Sequence, residues 1–284
     1  MHSTASDGSL SPAELARLAS ERHLKAIGIC DHDTVSGVLS LWPPGVSPDF
    51  STPLLVDGVE IVPGIEMNCE WGGRELHIVG YYVSMSKGPF MELIEDLRAS
   101  RQERAALMVK KLDALGFHLE LTRVLEIAGG DSVGRPHIAE AMVEKGYVSS
   151  VKQAFERYLG IGRPAYVGRR RLRPLDAVRA IADAGGAAVW AHPGTSRSLA
   201  LIENIVERGL VGIEAYHPEH DRGMVEECLR LASTFNLIVT GGSDFHGMSS
   251  DEGGDLGSTA VPYAVVSSLK ARSSQSIGRK DVRP

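Results

Sequence analysis

The sequence predicts an α/β fold in which a barrel of strands carries functional groups at the strand ends. Three observations lead there. Short β-branched runs alternate with helical patterns, which implies a parallel sheet joined by right-handed crossovers. Imidazoles and carboxylates follow those runs again and again. They come from nearly every strand, as in a TIM-like barrel, whereas a doubly wound open sheet would gather them at one switch point. The clearest instance is Ile238-Val239-Thr240-Gly241-Gly242-Ser243-Asp244-Phe245-His246-Gly247. Its first half is too short and too branched for a helix. Two glycines follow, then a carboxylate and an imidazole two positions apart. If the pleat persists, Asp244 and His246 lean the same way, and an oxygen with a nitrogen ligand suits a transition metal.

A chain of 284 residues can bury a sizeable core, as one large domain or one domain with an insert. Its apolar and charged fractions are ordinary, so it reads as globular rather than disordered. The net charge of −6 argues against a broad basic surface for nucleic acid. Cys30, Cys69 and Cys228 stand far apart among apolar residues, which suggests reduced thiols used as core filler. No apolar run approaches membrane-spanning length, and the N-terminus lacks a signal peptide's apolar segment. The expectation is a soluble cytoplasmic protein.

In chain order, residues 1–8 form a polar loop holding His2 and Asp7, with no strand before it. Ser11-Pro12-Ala13-Glu14 is a capping box with Pro at the first helical position. Leu15, Leu18 and Ala19 give that helix its buried face. Residues 26–30 are a buried strand that runs into Asp31-His32-Asp33-Thr34. Residues 41–56, rich in Pro, Gly and Ser, read as an irregular surface excursion. Residues 59–66 form a strand ending on Glu66, and residues 75–81 one with His77 inside it. From about 90 to 166 the apolar period is helical: Met91, Ile94, Leu97, then Ala105, Met108, Leu112, Leu115. Gly116 stops that helix. Two shorter helices follow, at 136–145 and about 151–159. This block reads as a helical insert.

Alternation then resumes. A helix begins at Pro174, and a strand at 187–191 ends on His192-Pro193-Gly194. A helix at about 199–208 precedes a strand at 211–216 ending on His217-Pro218. A helix at 222–235 leads into the stretch described first. The tail after Gly257 carries a weak strand at 259–265. The division is therefore barrel at 1–89 and 167–257, helical insert at 90–166, and C-terminal tail at 258–284.

Six of the ten histidines (His2, His32, His77, His192, His217 and His246) lie in or just after a strand, or where one should be. Asp7, Asp31, Asp33, Glu66 and Asp244 join them. His23, His118 and His220 read as surface or packing residues. So many imidazoles and carboxylates in one pocket would repel and desolvate one another unless cations compensated. A cluster of divalent metals is the economical explanation. Mixed His and carboxylate ligation points to Zn, Mn or Fe rather than Ca or Mg.

Taken in order, the motifs resemble the PHP superfamily (polymerase and histidinol phosphatase) of metal-dependent phosphoesterases. The pieces are His-Ser-Thr-Ala-Ser-Asp-Gly at 2–8, Asp-His-Asp-Thr at 31–34, Gly-Ile-Glu at 64–66, His77, Ala-His-Pro-Gly at 191–194 and Ser-Asp-Phe-His-Gly at 243–247. Gly-Arg-Pro-His at 134–137 and Glu-Ala-Tyr-His-Pro at 214–218 resemble the branch of the 3′,5′-nucleoside bisphosphate phosphatases and 5′→3′ exonucleases. The resemblance covers residue 1 to about 257. It implies a distorted TIM-like (β/α)7 barrel with a helical insert and two or three divalent metal ions (Mn, Zn or Fe). The implied ligands are His2, Asp7, His32, Glu66, His77, His192, Asp244 and His246. The family opens with a strand ending Asp-x-His-x-His, and this chain starts at the second His, so upstream residues encoding that strand are expected. Asp31 and Asp33 stay between two readings: one of them a ligand, or both loop-capping carboxylates.

The implied reaction is hydrolysis of a nucleotide phosphate ester by a metal-bound hydroxide, on a 3′,5′-bisphosphate or the 5′ end of a short oligonucleotide. Two metals ~3.5–4 Å apart can clamp the oxygens of an in-line displacement, and Glu66 is expected between two of them. Arg135 is the candidate phosphate clamp, being a guanidinium at a helix N-terminus, and a surface salt bridge is its alternative. His137 and His217 could grip the same phosphate or protonate the leaving oxygen. Arg169, Arg170, Arg171 and Arg173 form a basic run, either a solvated face or a guide for a strand. No membrane and no extended nucleic-acid surface is expected. The competing functions are a non-catalytic or impaired module, a small-molecule phosphatase of the histidinol-phosphate type, and another metal-barrel hydrolase. The last usually carries a ligating lysine, and none stands at a strand end here.

Overall fold

A computed structural model describes residues 1–43, 46, 48, 52–86, 88–129, 132–168, 172–195, 199–248 and 253–277. Seven strands share one sheet: β1 (Ala26–Ile29), β2 (Leu54–Val56), β3 (Val59–Trp71), β4 (Arg74–Tyr81), β5 (Ala187–Trp190), β6 (Leu210–Tyr216) and β7 (Ile238–Gly241). Their order is β1-β3-β4-β5-β6-β7, with β2 beside β3. The fold is α/β, with helices against a central sheet. Three pairings are parallel, β1–β3, β5–β6 and β6–β7. The all-parallel expectation fails at the other three, which are antiparallel.

Two short turns explain much of that difference. Asp57-Gly58 and Gly72-Gly73 both have positive φ at each residue, the geometry of two-residue hairpin loops. The first makes a strand of residues 54–56, which the sequence reading left irregular. The second folds β4 back on β3 and lets β3 run on to Trp71. Glu66 therefore lies inside β3, not at its end. The tail differs too. Residues 259–265 form no strand, and α10 (Ala264–Ile277) begins there. Pro262 has no amide for a ladder, and its carbonyl accepts from Val265 N to open a helical turn.

The other helices are α1 (Pro12–Glu21), α2 (Ser36–Leu39), α3 (Pro89–Ala114), α4 (Leu121–Ala128), α5 (Arg135–Glu144), α6 (Val151–Ala154), α7 (Pro174–Asp183), α8 (Ile202–Glu207) and α9 (Arg222–Phe235). The capping box of α1 forms as its sequence dictates: Glu14 N donates to Ser11 Oγ, and Ser11 N to Glu14 Oε2. A π turn at Phe155–Leu159 continues α6. No described helix is long and apolar enough to cross a membrane.

Two large apolar clusters hold these elements. The first packs α1, α7, α8 and α9 on the sheet around Ile29, Ile65, Met67, Ile78, Trp190 and Ile213. The second joins α3 to α4, α5 and α6 through Met108, Leu112, Val124, Ile138, Met142 and Ala154. Helix α3 belongs to both, with Ile94 and Leu97 in the first and Ala105, Met108 and Leu112 in the second. Each Ile, Leu, Val or Met among them contributes about 1.5–3 kcal/mol of burial.

The sheet is open between β1 and β7, which pair only with β3 and β6 among the described strands. Residues of both strands line a cavity of about 290 Å³. At its rim Met1 sits as one rung of a parallel ladder beside β1. Cys30 N donates to Met1 O at 3.0 Å and the Met1 amine to Gly28 O at 3.5 Å. On the other side His2 N donates to Phe245 O, beyond β7.

Candidate metal centre

The loop of residues 2–8 is folded around one buried carboxylate. Asp31 accepts from Ser3 N, Ser3 Oγ and Ser6 Oγ, each at 2.7 Å. Glycine is required beside it at two places: a Cβ on Gly37 would meet Asp31 Oδ2 at 2.1 Å, and one on Gly8 would meet His2 O at 2.2 Å. Ser9 N donates to His246 O, tying the loop to the segment after β7. His2 and Asp7 are placed by these bonds.

Strand pleat places the next set. Glu66 and Asn68 share a face of β3, Glu75 and His77 share a face of β4, and Asn68 pairs directly with His77. The eight residues implied as ligands come together. His2 Nε2 lies 2.8 Å from Glu66 Oε2 and 3.1 Å from Asp244 Oδ1. His77 Nδ1 and His192 Nε2 lie 2.8 and 3.0 Å from Glu66 Oε1. His32 Nε2 and His246 Nε2 approach the two oxygens of Asp7, at 3.8 and 3.7 Å. Three sets offer ligand atoms within 4.8 Å of one another: His2, Asp7, His32 and His246; His32, Glu66 and His77; and His2, Glu66 and Asp244. His192 joins through Glu66 and through His77 Nδ1, 3.2 Å away.

The donor set fits divalent cations. His2 Nδ1, Asp7 Oδ1 and His246 Nε2 are buried with no hydrogen-bond partner. His246 is the most telling. Its Nδ1 donates to Asp244 O at 2.7 Å, so Nε2 carries a lone pair pointed into the cluster. That arrangement fixes a ligating imidazole. The backbone is strained at the same level: Asp33, His192 and Asp244 have φ of 52°, 59° and 49°. Non-glycine residues hold that conformation only where surrounding bonds impose it.

The electrostatics agree. Burial opposes charge on His2, but hydrogen bonds to Asp244 and Glu66 outweigh it and push its pKa up to about 10. The same contest lifts His192 to about 9, chiefly through Glu66. Asp7, Glu66 and Asp244 are also buried, yet the neighbouring imidazoles hold all three below the usual carboxylate range. Without cations, protons on histidines serve as the countercharge. Burial drives His32 the other way, toward the neutral ring.

Asp31 and Asp33 both have full sets of partners and lie outside the three ligand sets. Asp33 Oδ2 accepts from Arg101 Nε at 2.8 Å, and Oδ1 from Asn68 N at 3.0 Å. Arg135 opens α5 with Nη2 3.5 Å from Glu75 Oε2 and its guanidinium over the rings of Phe155 and Tyr166. His137 Nδ1 accepts from Gly134 N, and its other nitrogen bonds the Ser6 backbone. His217 Nδ1 accepts from Glu219 N, while its buried Nε2 has no partner and lies 3.9 Å from Asp244 Oδ2. Arg173 is exposed and pairs with Asp176. Arg169, Arg170 and Arg171 lie outside the described residues. His220 is a packing residue, bonded to Ala215 O and Gly194 N.

Sequence reasoning missed Arg101, Asn68 and Glu214. Arg101 had a signal, because it falls on the apolar stripe of α3, four residues from both Leu97 and Ala105. A charge at such a position has a buried partner. Glu214 lines the cavity between β1 and β7, and burial pushes its carboxyl up to about 7.

No family model matches the chain. A 5′-3′ exoribonuclease from Haemophilus influenzae is 32% identical over 250 residues, 86% of this chain and 88% of the relative. A phosphoribosyl 1,2-cyclic phosphate 1,2-diphosphodiesterase from Eggerthella lenta is 31% identical over 87% of this chain and 92% of its own length. A 3′,5′-nucleoside bisphosphate phosphatase from Chromobacterium violaceum is 30% identical over 91% and 89%. In structure, the chain is similar to a Bifidobacterium adolescentis protein classed with the metal-dependent phosphoesterases, with TM-score 0.83 and 26% identity over 98% and 96% of the two chains. Similarity across nearly the whole of both chains shows that this chain belongs to the PHP superfamily of metal-dependent phosphoesterases, in the branch of these exoribonucleases and bisphosphate phosphatases.

Proposed function

We propose that the chain hydrolyses phosphate esters of nucleotides, 3′,5′-bisphosphates or the 5′ ends of short oligonucleotides, with two or three Mn, Zn or Fe ions. His2, Asp7, His32, Glu66, His77, His192, Asp244 and His246 would hold them. Bound there, such ions lower the pKa of water and neutralise charge developing at phosphorus. The observation that carries the reading is the set of buried, unpartnered ligand atoms on His2, Asp7 and His246. Glu66 is suited to bridging, since its two oxygens face different histidines.

His217 is the best placed to grip a phosphate oxygen by a hydrogen bond. With Nδ1 accepting from Glu219 N, the neutral ring carries its hydrogen on the unpartnered Nε2. His137 has both nitrogens engaged, so it holds Ser6 against α5 and acts on the phosphate only indirectly. Arg135 would bind the phosphate that does not react. Phe155, Tyr166 and Glu75 keep its guanidinium facing one way. The named relatives favour a phosphorylated nucleotide or short oligonucleotide as the substrate.

We infer a distorted barrel opened along one seam, with residues 90–166 as a helical insert. Supporting it are the two strand edges that face one cavity, the parallel rung at Met1, and the separate apolar cluster of the helical block. Three free, buried cysteines fit a reducing cytoplasm.

The test is a chelated chain reloaded with each metal and assayed on adenosine 3′,5′-bisphosphate and 5′-monophosphate. Activity should vanish on chelation, return with metal, and favour the bisphosphate. Arg135→Ala should raise KM by roughly tenfold to a hundredfold, the worth of a charged contact of about 1.5–3 kcal/mol. Undiminished rates after exhaustive chelation would overturn the reading.

A further inference from the structure

We propose that Arg101 and Asn68, acting through Asp33, are positioning residues that orient the ring of His32 for metal. The proposal rests on the reading of His32 as a ligand. Three consecutive contacts carry it. Arg101, on α3, grips Asp33 Oδ2 with Nε at 2.8 Å and Nη2 at 2.7 Å. Asp33 accepts from Asn68 twice, Oδ1 from the backbone N at 3.0 Å and Oδ2 from Nδ2 at 3.3 Å. The same Nδ2 lies 3.2 Å from His32 Nδ1. Arg101, Asp33, Asn68 and His32 are all buried.

His32, like His2, belongs to two of the three ligand sets. It alone supplies a nitrogen both to the set with His2, Asp7 and His246 and to the set with Glu66 and His77. Its direction therefore decides which set is completed. The Asn68 amide meets Nδ1 and leaves Nε2 turned toward Asp7. The bond from Nδ2 to Asp33 Oδ2 fixes which end of the amide faces Nδ1. Asp33 is held with φ of 52°, and its N–H is taken by Glu66 O. Its carboxylate thus has a fixed origin from which to hold Asn68.

Arg101 adds a consequence. Its Nη1 faces Val133 O at 3.5 Å, two residues before Arg135. One guanidinium thus bears on the metal side through Asp33 and on the segment that opens α5. Seated at the junction of the two apolar clusters, it links the packing of the helical block to the direction of one imidazole. Partners of this kind, one bond removed from the ligand, typically set metal affinity by roughly 10–100-fold.

A double-mutant cycle in Mn²⁺ affinity, by chelator competition on the full chain, tests this. His32→Ala, Asn68→Ala and the double variant are compared with the original chain. Asn68→Ala should weaken one class of site roughly 10–100-fold and add nothing in the His32→Ala background. Arg101→Lys keeps the charge but loses the fork. It should weaken the same class less, and it makes the test from the far end should Asn68→Ala fail to fold. If the Asn68→Ala loss persists in full without His32, or all sites weaken in parallel with a fall in Tm, the residues merely stabilise the fold and the proposal is overturned. If His32→Ala itself leaves Mn²⁺ binding unchanged, the ligand reading of His32 fails instead.

Discussion

Two groups of carboxylates sit within a few residues of the same strand ends and are treated in opposite ways. Asp31 and Asp33 are saturated: Asp31 takes three short bonds from the 2–8 loop, and Asp33 takes Arg101 and Asn68. Asp7, Glu66 and Asp244 face imidazoles, and Asp7 Oδ1 has no hydrogen-bond partner. Burial is similar for Asp31, Asp33 and Glu66, so depth does not separate the groups. The separation lies in what faces each oxygen. A carboxylate whose partners are N–H and O–H donors is already compensated. One that faces imidazoles takes its countercharge from protons on those rings, which a metal cation can replace.

The largest effect should come from the ligand group. Asp244→Ala and His192→Ala are expected to bring phosphoesterase turnover to background while leaving far-UV circular dichroism and cooperative unfolding in place. Neither side chain belongs to the apolar clusters. Loss of cooperative unfolding in either variant would erase the contrast, because the ligand would then be an anchor as well.

The anchor group should behave in reverse. Asp31→Ala strands three buried donors, and about 1–3 kcal/mol is lost for each unsatisfied group. A net loss of about 3–4 kcal/mol, or roughly 10 °C in Tm, is expected, with measurable activity left in the folded fraction. Denaturant unfolding and a rate per folded molecule measure the two together. A Tm within a degree of the original, with activity gone, would move Asp31 into the ligand group.

This contrast is what the sequence could not supply. It pointed to every residue of the three donor sets, because imidazoles and carboxylates recurring in or just after apolar runs are plain in the chain. It left Asp31 and Asp33 undecided, because Asp-His-Asp places both beside His32 and their partners lie 25 to 68 residues away. The helical character of the block opened by α3 was legible from the spacing of Ala105, Met108 and Leu112. The antiparallel β3–β4 pair is marked in the chain by Gly72-Gly73, a hairpin signal that the sequence reading did not use. Asn68 gained meaning only from contacts across the fold, and Arg101, though marked by its place on the apolar stripe, found its partner only there.

Glu214 is a third kind of carboxylate, neither anchored by donors nor offered to a ligand set, and it should give the smallest effect. It faces the cavity between β1 and β7, and Gly242 makes room for it, since a Cβ there would meet Oε1 at 2.6 Å. Burial raises its pKa from 4.5 to about 7, against a weaker pull from His192 and His217. A raised folded pKa means that the group's contribution to stability is whole below pH 4.5 and lost as pH rises through about 7. The rise from 4.5 to about 7 corresponds to at most about 3 kcal/mol. Glu214→Gln removes the titration and keeps the shape. In the metal-free chain the variant should match the original near pH 5 and exceed it by about 1–2 kcal/mol near pH 8. Urea midpoints at the two pH values measure the difference. A gain that is equal at both would show that Glu214 carries no burial penalty, and the cavity would then be as wet as the surface.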